Sequence, residues 1–124
     1  VRANNGGALY NKTVTDIAVG LNHSCALADG DVFCWGYNGN GQIGDNTTTQ
    51  RNLPRAVSKL AGGLRNQTVT AIGSGSNRSC AIANAKTFCW GRNSEGQIGD
   101  GTLIDRRIPT ESLFLRPKNN EYIY

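Results

Sequence analysis

The sequence predicts an all-β protein made of two tandem copies of one antiparallel unit. The chain has 124 residues, and its second half repeats the first at an offset of 55 residues. Over residues 11–54 and 66–109, 24 of the 44 aligned positions are identical. Each copy contains two short apolar runs that flank a turn, and each carries one pair of cysteines. These observations predict a hairpin in each copy.

The first hairpin is predicted over residues 24–35, with Asp29-Gly30 as a two-residue type I′ turn. Counting outward from this turn places Cys25 directly opposite Cys34, in a pair that forms no backbone hydrogen bonds. The Cα atoms of such a pair lie about 4.5 Å apart, a distance that a disulfide can span. We therefore expect a Cys25–Cys34 disulfide, which contributes about 2–3 kcal/mol in the chain-entropy account.

The second hairpin follows the same counting rule. Cys80 then faces Cys89, and Asn84-Ala85 forms the turn. Asn-Ala accepts the turn conformation less readily than Asp-Gly, so the second hairpin is expected to depend more on its disulfide. Two disulfides indicate an oxidising compartment, and we expect an extracellular or cell-surface location.

Zinc binding is the competing explanation for four cysteines. Zinc ligands usually occur as close pairs, whereas eight residues separate the cysteines of each pair here. The single histidine, His23, has Arg78 at its repeat position, so the repeat does not require an imidazole there. The sequence predicts no metal site and no cofactor.

A glycine-rich block follows each hairpin, over residues 35–45 and 90–100. It lacks the lysine and following helix of a phosphate loop and the alternating carboxylates of a calcium loop, so we expect a packed structural turn. The two aspartates are expected to accept backbone N–H groups from the Thr-rich segment that follows. The tryptophans are expected to serve blade packing rather than stacking on a ligand. The framework residues predicted in this way are Trp35, Gly36, Gln42, Gly44, Asp45, Trp90, Gly91, Gln97, Gly99 and Asp100.

The segment VTDIAVGLNHSCALADGDVFCWGYNGNGQIGDNT and its echo VTAIGSGSNRSCAIANAKTFCWGRNSEGQIGDGT closely resemble the repeats of the regulator of chromosome condensation family. The resemblance covers approximately Thr13 to Pro54 and Thr68 to Pro109. It implies propeller-blade-like antiparallel repeats, and family members usually close seven of them into a ring. The paired cysteines are similar to those of the secreted bacterial members rather than the nuclear exchange factors.

Length separates this chain from such a ring, which would need about 350 or more residues. The fold class we expect is two tandem blades of an incomplete or assembly-completed β-propeller. Three alternatives stay open: a fragment of a longer ectodomain, a subunit whose copies complete a ring or filament, or a compact two-blade domain covered by its termini.

The predicted organisation has five parts. Apolar residues 112–115 and 122–124 are expected to form strands at the C-terminal end, and Leu9-Tyr10 could anchor a strand before the first repeat. The parts are an N-terminal lead-in (1–10), repeat 1 (11–56), a connector (57–65), repeat 2 (66–111) and a C-terminal strand or tail (112–124).

Composition argues against several function classes. The net charge of +4 is scattered along the chain rather than gathered in a stripe, so nucleic-acid binding is not expected. No apolar stretch reaches the length of a membrane-spanning helix, so we expect no membrane insertion. One histidine without a supporting pattern gives no catalytic residues, and we do not expect an enzyme.

The remaining interpretation is a secreted or cell-surface β-repeat module for protein recognition. The alternative is a structural subunit of an extracellular filament or adhesive appendage, assembled through open blade edges. The expected partner is therefore another protein or further copies of the chain. Candidate contact residues are those that differ between the two copies near the framework, namely His23, Tyr37, Asn40, Arg78, Arg92 and Glu95.

Overall fold

The computed structural model of the chain describes residues 7–59 and 63–113. These residues form eight six-residue strands in two antiparallel four-stranded sheets, each in sequence order, which confirms the all-β prediction. We call the sheet of β1 to β4 blade 1 and the sheet of β5 to β8 blade 2. The strands are β1 (Val14–Val19), β2 (His23–Ala28), β3 (Asp31–Gly36), β4 (Arg51–Ala56), β5 (Val69–Ser74), β6 (Arg78–Ala83), β7 (Lys86–Gly91) and β8 (Arg106–Glu111).

Both hairpins have the predicted register. Cys25 lies opposite Cys34 between β2 and β3, and Cys80 lies opposite Cys89 between β6 and β7. Each pair forms a disulfide with its Cα atoms 4.1 Å apart. The expected pairing is therefore confirmed, and each bridge joins the two central strands of one blade.

The turns of the two hairpins have the same left-handed backbone conformation. Asp29 and Gly30 have φ of 51° and 80°, and Asn84 and Ala85 have φ of 52° and 61°. Glycine accepts this region freely, whereas a Cβ makes it unfavourable by about 1–2 kcal/mol. The second residue of each turn is Gly30 or Ala85, and the left-handed conformation is therefore less favourable for Ala85 than for Gly30.

The largest hydrophobic cluster lies between the two blades. We call the surface of blade 1 in this cluster its trailing face and the opposing surface of blade 2 its leading face. The trailing-face members are Ala18, Cys25, Leu27, Val32, Cys34, Ile43 and Val57, and the leading-face members are Leu64, Val69, Ile72, Ala81, Ala83, Phe88 and Trp90.

Blade 1 also has a leading face, and blade 2 also has a trailing face. Residues 55 positions apart are equivalent, so each of the two smaller clusters can be assigned to one of these faces by comparison with the largest cluster. The leading face of blade 1 consists of Leu9, Ala26, Ala28 and Phe33 with Trp35, and the trailing face of blade 2 consists of Cys80, Cys89 and Ile98 with Ile82.

The chain ends differ from the sequence expectation where the structure describes them. Residues 8–11 form a turn rather than a strand, and Leu9 is buried on the leading face of blade 1. Its apolar side chain is held by packing, with Lys12 N–H donating to the Leu9 carbonyl at 3.1 Å. Ser112 and Leu113 lie beyond β8 and outside a strand, and the strand expected over 122–124 lies outside the described residues. The described part of the chain has no helix long and apolar enough to cross a membrane.

Candidate functional site

A buried asparagine organises the loop that follows the hairpin of blade 1. Asn38 Nδ2 donates to the carbonyls of Thr47 at 3.0 Å and Thr49 at 2.9 Å, and its Oδ1 accepts the N–H of Ile43 at 2.9 Å. One fully buried side chain therefore joins both ends of the loop, and its hydrogen-bonding groups are satisfied by backbone.

Asn93 repeats this arrangement in blade 2. It donates to the carbonyls of Thr102 at 3.0 Å and Ile104 at 2.9 Å, and accepts the N–H of Ile98 at 2.9 Å. Sequence reasoning missed both asparagines. The signal was present, because an asparagine stands three residues after the tryptophan in each copy.

Asp45 accepts backbone N–H as the sequence predicted, from Thr47 at 3.1 Å. It also accepts the Thr47 hydroxyl at 2.6 Å and pairs with Arg51 Nε at 2.8 Å, a salt bridge that the sequence analysis did not predict. Burial alone would raise the pKa of Asp45, but the hydrogen bonds from Thr47 and the Arg51 guanidinium lower it below its ordinary value.

Asp100 has the equivalent partners. Its carboxylate accepts the Thr102 N–H at 3.0 Å and hydroxyl at 2.7 Å, and pairs with Arg106 Nε at 2.6 Å. Burial opposes ionisation, yet these bonds lower the pKa of Asp100 to about 2. Both recurring carboxylates are thus ionised parts of a loop framework.

The interface between the blades contains a polar chain of three groups. Ser79 Oγ donates to the Gln42 carbonyl at 2.8 Å, so the 2.9 Å contact with His23 Nε2 requires the imidazole to donate to the hydroxyl. His23 Nδ1 is buried and has no hydrogen-bond partner in the structure. Burial lowers the pKa of His23, an effect that the Arg78 backbone partly offsets, so the neutral imidazole is favoured.

An aromatic contact lies beside this polar chain. Trp90 is fully buried, and a Cβ placed on Gly44 would lie 2.6 Å from Trp90 Nε1. Gly44 has φ of 79°, so the position requires glycine for both its backbone and its close approach to the indole. The predicted packing role of Trp90 is realised as contact between blades.

The loops of the two blades also meet. Asn40 Nδ2 donates to Asp105 Oδ2 at 3.0 Å, and Asn46 N–H donates to the Arg107 carbonyl at 2.9 Å. The Asp105 carboxylate in turn accepts the backbone N–H of Asn93 at 2.8 Å. The loop after β3 in blade 1 is therefore bound to Asp105 and to the start of β8.

Two of the six candidate contact residues lie at blade faces. The expectation of His23 as a surface contact needs correction, because it is 3% exposed and bonded to Ser79 across the blade interface. Arg78 is half-buried, and its Nη1 donates to the Gln97 carbonyl at 2.7 Å.

The other four candidates lie in the loops after β3 and β7, which are equivalent between the blades. Tyr37 is 46% exposed, and Glu95 is also exposed. Arg92 is half-buried with its Nε donating to Ser94 Oγ at 2.9 Å, and Asn40 bonds to Asp105 as described. Their role as a contact surface stays a prediction. Residues 7–59 and 63–113 contain no cluster of three or more His, Cys, Asp or Glu side chains arranged to hold a metal.

Comparison with known proteins matches most of the chain to one family. The regulator of chromosome condensation (RCC1) repeat model matches residues 29–82 and 84–120, and a second model of the same repeat matches residues 14–42. Among curated proteins, the chain is 30% identical over 105 residues to the human E3 ubiquitin-protein ligase HERC2. It is 32% identical over 104 residues to the ultraviolet-B receptor UVR8 of Arabidopsis thaliana.

These matches cover 82% of this chain but 2% of HERC2 and 23% of UVR8. Among solved structures, human WBSCR16 is similar with a TM-score of 0.67 and 25% identity, and Prp20p of Saccharomyces cerevisiae with a TM-score of 0.69 and 24% identity. Each similarity covers 82% of this chain and 26% of the other. The chain thus spans about a quarter or less of the length of these relatives. The chain belongs to the regulator of chromosome condensation repeat family, and its two sheets are two blades of the propeller type.

Proposed function

We propose that this chain is part of a non-catalytic β-propeller module that recognises a protein partner through the loops after β3 and β7. The observation that carries the proposal is a pair of loops with the same buried framework and different tips. Asn38 and Asn93 hold the loops in the same way, while Tyr37 in one copy is replaced by Arg92 in the other. A rigid scaffold with varied exposed positions is suited to binding.

Several relatives support a scaffold role. The structure of Prp20p was described together with its binding properties to Gsp1p and histones, UVR8 is a receptor, and HERC2 is a ubiquitin ligase. The same repeat thus occurs in proteins of different activities, which favours recognition over one fixed reaction as the work of the blades.

The side chains whose chemistry is suited to catalysis have structural roles in this protein. Asp45 and Asp100 are ionised and bound to threonine and arginine, and His23 is neutral and buried between the blades. A general acid or base must reach a substrate, and these groups face protein instead. This distribution supports a non-catalytic role.

We further propose that the module works outside the cell or at its surface. Each hairpin is closed by a disulfide, and disulfides persist in oxidising compartments. Mass spectrometry of the protein isolated from its source under alkylating conditions tests this. Four bridged cysteines support the location, whereas alkylated free thiols at these positions contradict it.

Recognition is tested by capture with matched variants. The oxidised chain is immobilised and exposed to culture fluid and surface extract of cells that express the protein, and bound proteins are identified and then titrated as purified components. We expect a specific protein to bind the wild type and to bind the variant Y37A/N40A/R92A/E95A at least about tenfold more weakly, since interface energy is concentrated in few side chains.

The control variant changes exposed side chains on β4 instead, as N52A/L53A. Equal affinity of wild type, loop variant and control, with unchanged circular dichroism, would reject recognition by these loops.

The second candidate is a structural subunit that assembles through blade edges. In blade 1 the last strand, β4, pairs with one neighbouring strand only, which leaves an edge that another chain could join. On β8 the carbonyls of Arg107 and Pro109 already accept the N–H groups of Asn46 at 2.9 Å and Gly63 at 3.0 Å, so its edge is less available. Pro54 on β4 and Pro109 on β8 lack the N–H that such pairing needs, which disfavours long assemblies through these strands. Electron microscopy of the purified protein separates the two candidates, since rods support the structural subunit and discrete particles the recognition module.

A further inference from the structure

The loop between β7 and β8 exposes two adjacent aliphatic side chains, which we call the aliphatic pair. Leu103 is 67% exposed and Ile104 is 62% exposed. The equivalent residues in the loop of blade 1, 55 positions earlier, are Thr48 and Thr49. The second loop is therefore apolar where the first is polar, although a buried asparagine holds both loops in the same way.

The backbone around the aliphatic pair is fixed by Asn93. Its Nδ2 donates to the carbonyl of Thr102 at 3.0 Å and to that of Ile104 at 2.9 Å, on either side of Leu103. The Ile104 N–H also donates to the Thr102 hydroxyl at 3.3 Å. Because these bonds already order the loop, a partner that covers its tip loses little affinity in ordering it.

In blade 1 the equivalent positions stay exposed although another blade packs beside them. Asn46, at the start of this loop, donates its N–H to the Arg107 carbonyl of blade 2 at 2.9 Å. Thr48 and Thr49 are nevertheless exposed. Since the two loops have the same framework, we expect the aliphatic pair to stay exposed when a further blade follows blade 2. Removal of its apolar surface from water, which is favourable, therefore requires a different kind of partner.

Two charged side chains without an ionic partner accompany the aliphatic pair. Arg107 is exposed, and its Cα and Cγ would lie 2.8 Å from a Cβ placed on Gly41 of blade 1. Glu95 is exposed beside Gly96, and a Cβ placed on Gly96 would lie 3.8 Å from Leu103 Cδ2. Neither charged group forms an ion pair within residues 7–59 and 63–113. Each can therefore pair with a group of another molecule.

The carboxylate that follows the aliphatic pair in the sequence is already used inside the protein. The two oxygens of Asp105 accept hydrogen bonds from Asn40 Nδ2 at 3.0 Å and from the Asn93 N–H at 2.8 Å. The combination of apolar and charged residues is specific to blade 2. The four equivalent positions of blade 1 are polar and uncharged, namely Asn40, Thr48, Thr49 and Asn52.

We propose that the aliphatic pair inserts into an apolar pocket of a protein partner whose border offers a carboxylate to Arg107 and a basic group to Glu95. The proposal rests on recognition by the loops and adds the chemistry of the partner to it. An apolar centre with a polar border is the usual arrangement of a protein interface. A membrane surface fits less well, because two apolar residues without an excess of positive charge give weak attachment.

Photo-crosslinking in cells that express the protein tests the contact without a purified partner. The photoreactive residue p-benzoylphenylalanine replaces Leu103 in one variant and Thr48, its counterpart in blade 1, in the matched control. A third variant carries it in place of Tyr37 and reports on loop recognition in general. We expect illumination to give a discrete protein adduct at position 103 and at most a far weaker one at position 48.

The three positions separate failure of this proposal from failure of loop recognition. A protein adduct at position 37 without one at position 103 would overturn the proposal and leave loop recognition standing. Absence of a protein adduct at both positions would reject both. Equal adducts at positions 103 and 48, or an adduct at position 103 to lipid or to a second copy of the chain, would also overturn the proposal.

The protein found in the adduct is then purified and titrated against variants of the chain. L103T/I104T gives blade 2 the residues of blade 1 and should bind at least about tenfold more weakly, because interface energy is concentrated in few side chains. R107Q and E95Q should each weaken binding and make it less sensitive to salt, since each removes one ion pair.

The control for these titrations is T48A/T49A, which changes the equivalent exposed residues of blade 1 and should bind as the wild type does. Equal affinity of wild type and L103T/I104T, with unchanged circular dichroism, would overturn insertion of the aliphatic pair. Unchanged affinity and salt dependence in both charge variants would overturn the proposed border of the pocket.

Discussion

The equivalent tryptophans of the two blades, Trp35 and Trp90, are buried to different extents. Trp90 is fully buried against Gly44 of blade 1, whereas Trp35 is only partly buried and lines an apolar groove of about 360 Å³ with Leu9 and other leading-face residues. Both tryptophans stand in the same Phe-Cys-Trp-Gly segment, so the difference in burial comes from what packs against each of them. Blade 2 has a blade packed against its leading face, and in the described residues the leading face of blade 1 is partly covered by the turn around Leu9.

The trailing faces of the two blades differ in the polarity of their side chains. Blade 1 presents Val32 and Val57 to the cluster between the blades, and blade 2 has Thr87 and Ser112 at the same positions, both buried. The framework within each blade is therefore repeated, while the surfaces between blades diverge. One structural unit is therefore used twice with a different neighbour on each of its faces.

The largest effect is expected from truncation of the two equivalent tryptophans. Trp90→Ala removes a fully buried indole and should lower the free energy of unfolding by about 3–5 kcal/mol, because it leaves a cavity between the blades. Trp35→Ala should cost less than half as much, since the groove around it is already open. Urea titrations of the two variants measure both values, and equal losses would show that the blade interface does not determine the difference.

Removal of each disulfide compares the two hairpins. Replacing Cys25 and Cys34 by alanine should cost about 2–3 kcal/mol of unfolding free energy. The same replacement of Cys80 and Cys89 should cost more, because Ala85 makes their turn less favourable. Thermal unfolding of the two double variants gives the order. A larger loss of stability on removal of the Cys25–Cys34 bridge would contradict the idea that the less favourable turn makes the second hairpin depend more on its disulfide.

The turns can be exchanged directly. Ala85→Gly should stabilise the chain by about 0.5–1 kcal/mol, since glycine accepts the positive φ of this position. Gly30→Ala is the reciprocal variant and should destabilise by about 1–2 kcal/mol or more, because it adds left-handed strain and places a Cβ 2.8 Å from Thr68 Cγ2. Both values are read from urea midpoints, and changes of the same sign would contradict the argument.

The smallest expected effect is the pH dependence of the blade interface. Burial holds the pKa of His23 below its ordinary value of 6.5, so the unfolded chain binds a proton first and stability falls as pH drops below that value. His23→Gln should flatten the stability profile between pH 7 and about pH 5, since the chain has no other histidine.

Asp100 titrates in a separate range. The pKa of Asp100, about 2, lies below the ordinary 3.8, so its contribution to the free energy of unfolding is present above pH 3.8 and is lost as pH falls toward 2.

For His23, an unchanged slope of stability between pH 7 and 5 in the His23→Gln variant would remove this histidine as the cause of the acid sensitivity expected in that range.

Local features of the fold were predictable from the sequence. The register of each hairpin follows from a two-residue turn and nearby cysteines, and Asp45 was expected to bind the backbone just after it. The hydrogen bonds of Asn38 to Thr47 and Thr49 were missed, because an irregular loop gives no period from which its partners can be counted. His23 was misplaced for a different reason, since its partner lies 56 residues away in the other blade.

The two central strands, the turn and the disulfide of each blade could be derived from the sequence, because these depend on neighbours within a few residues and on a repeat that can be aligned. Only the tertiary structure decided which copies of the repeated residues are buried. The burial of Trp90 and the neutral state of His23 depend on the packing of one blade against the other, and the two copies of each residue differ in what packs against them.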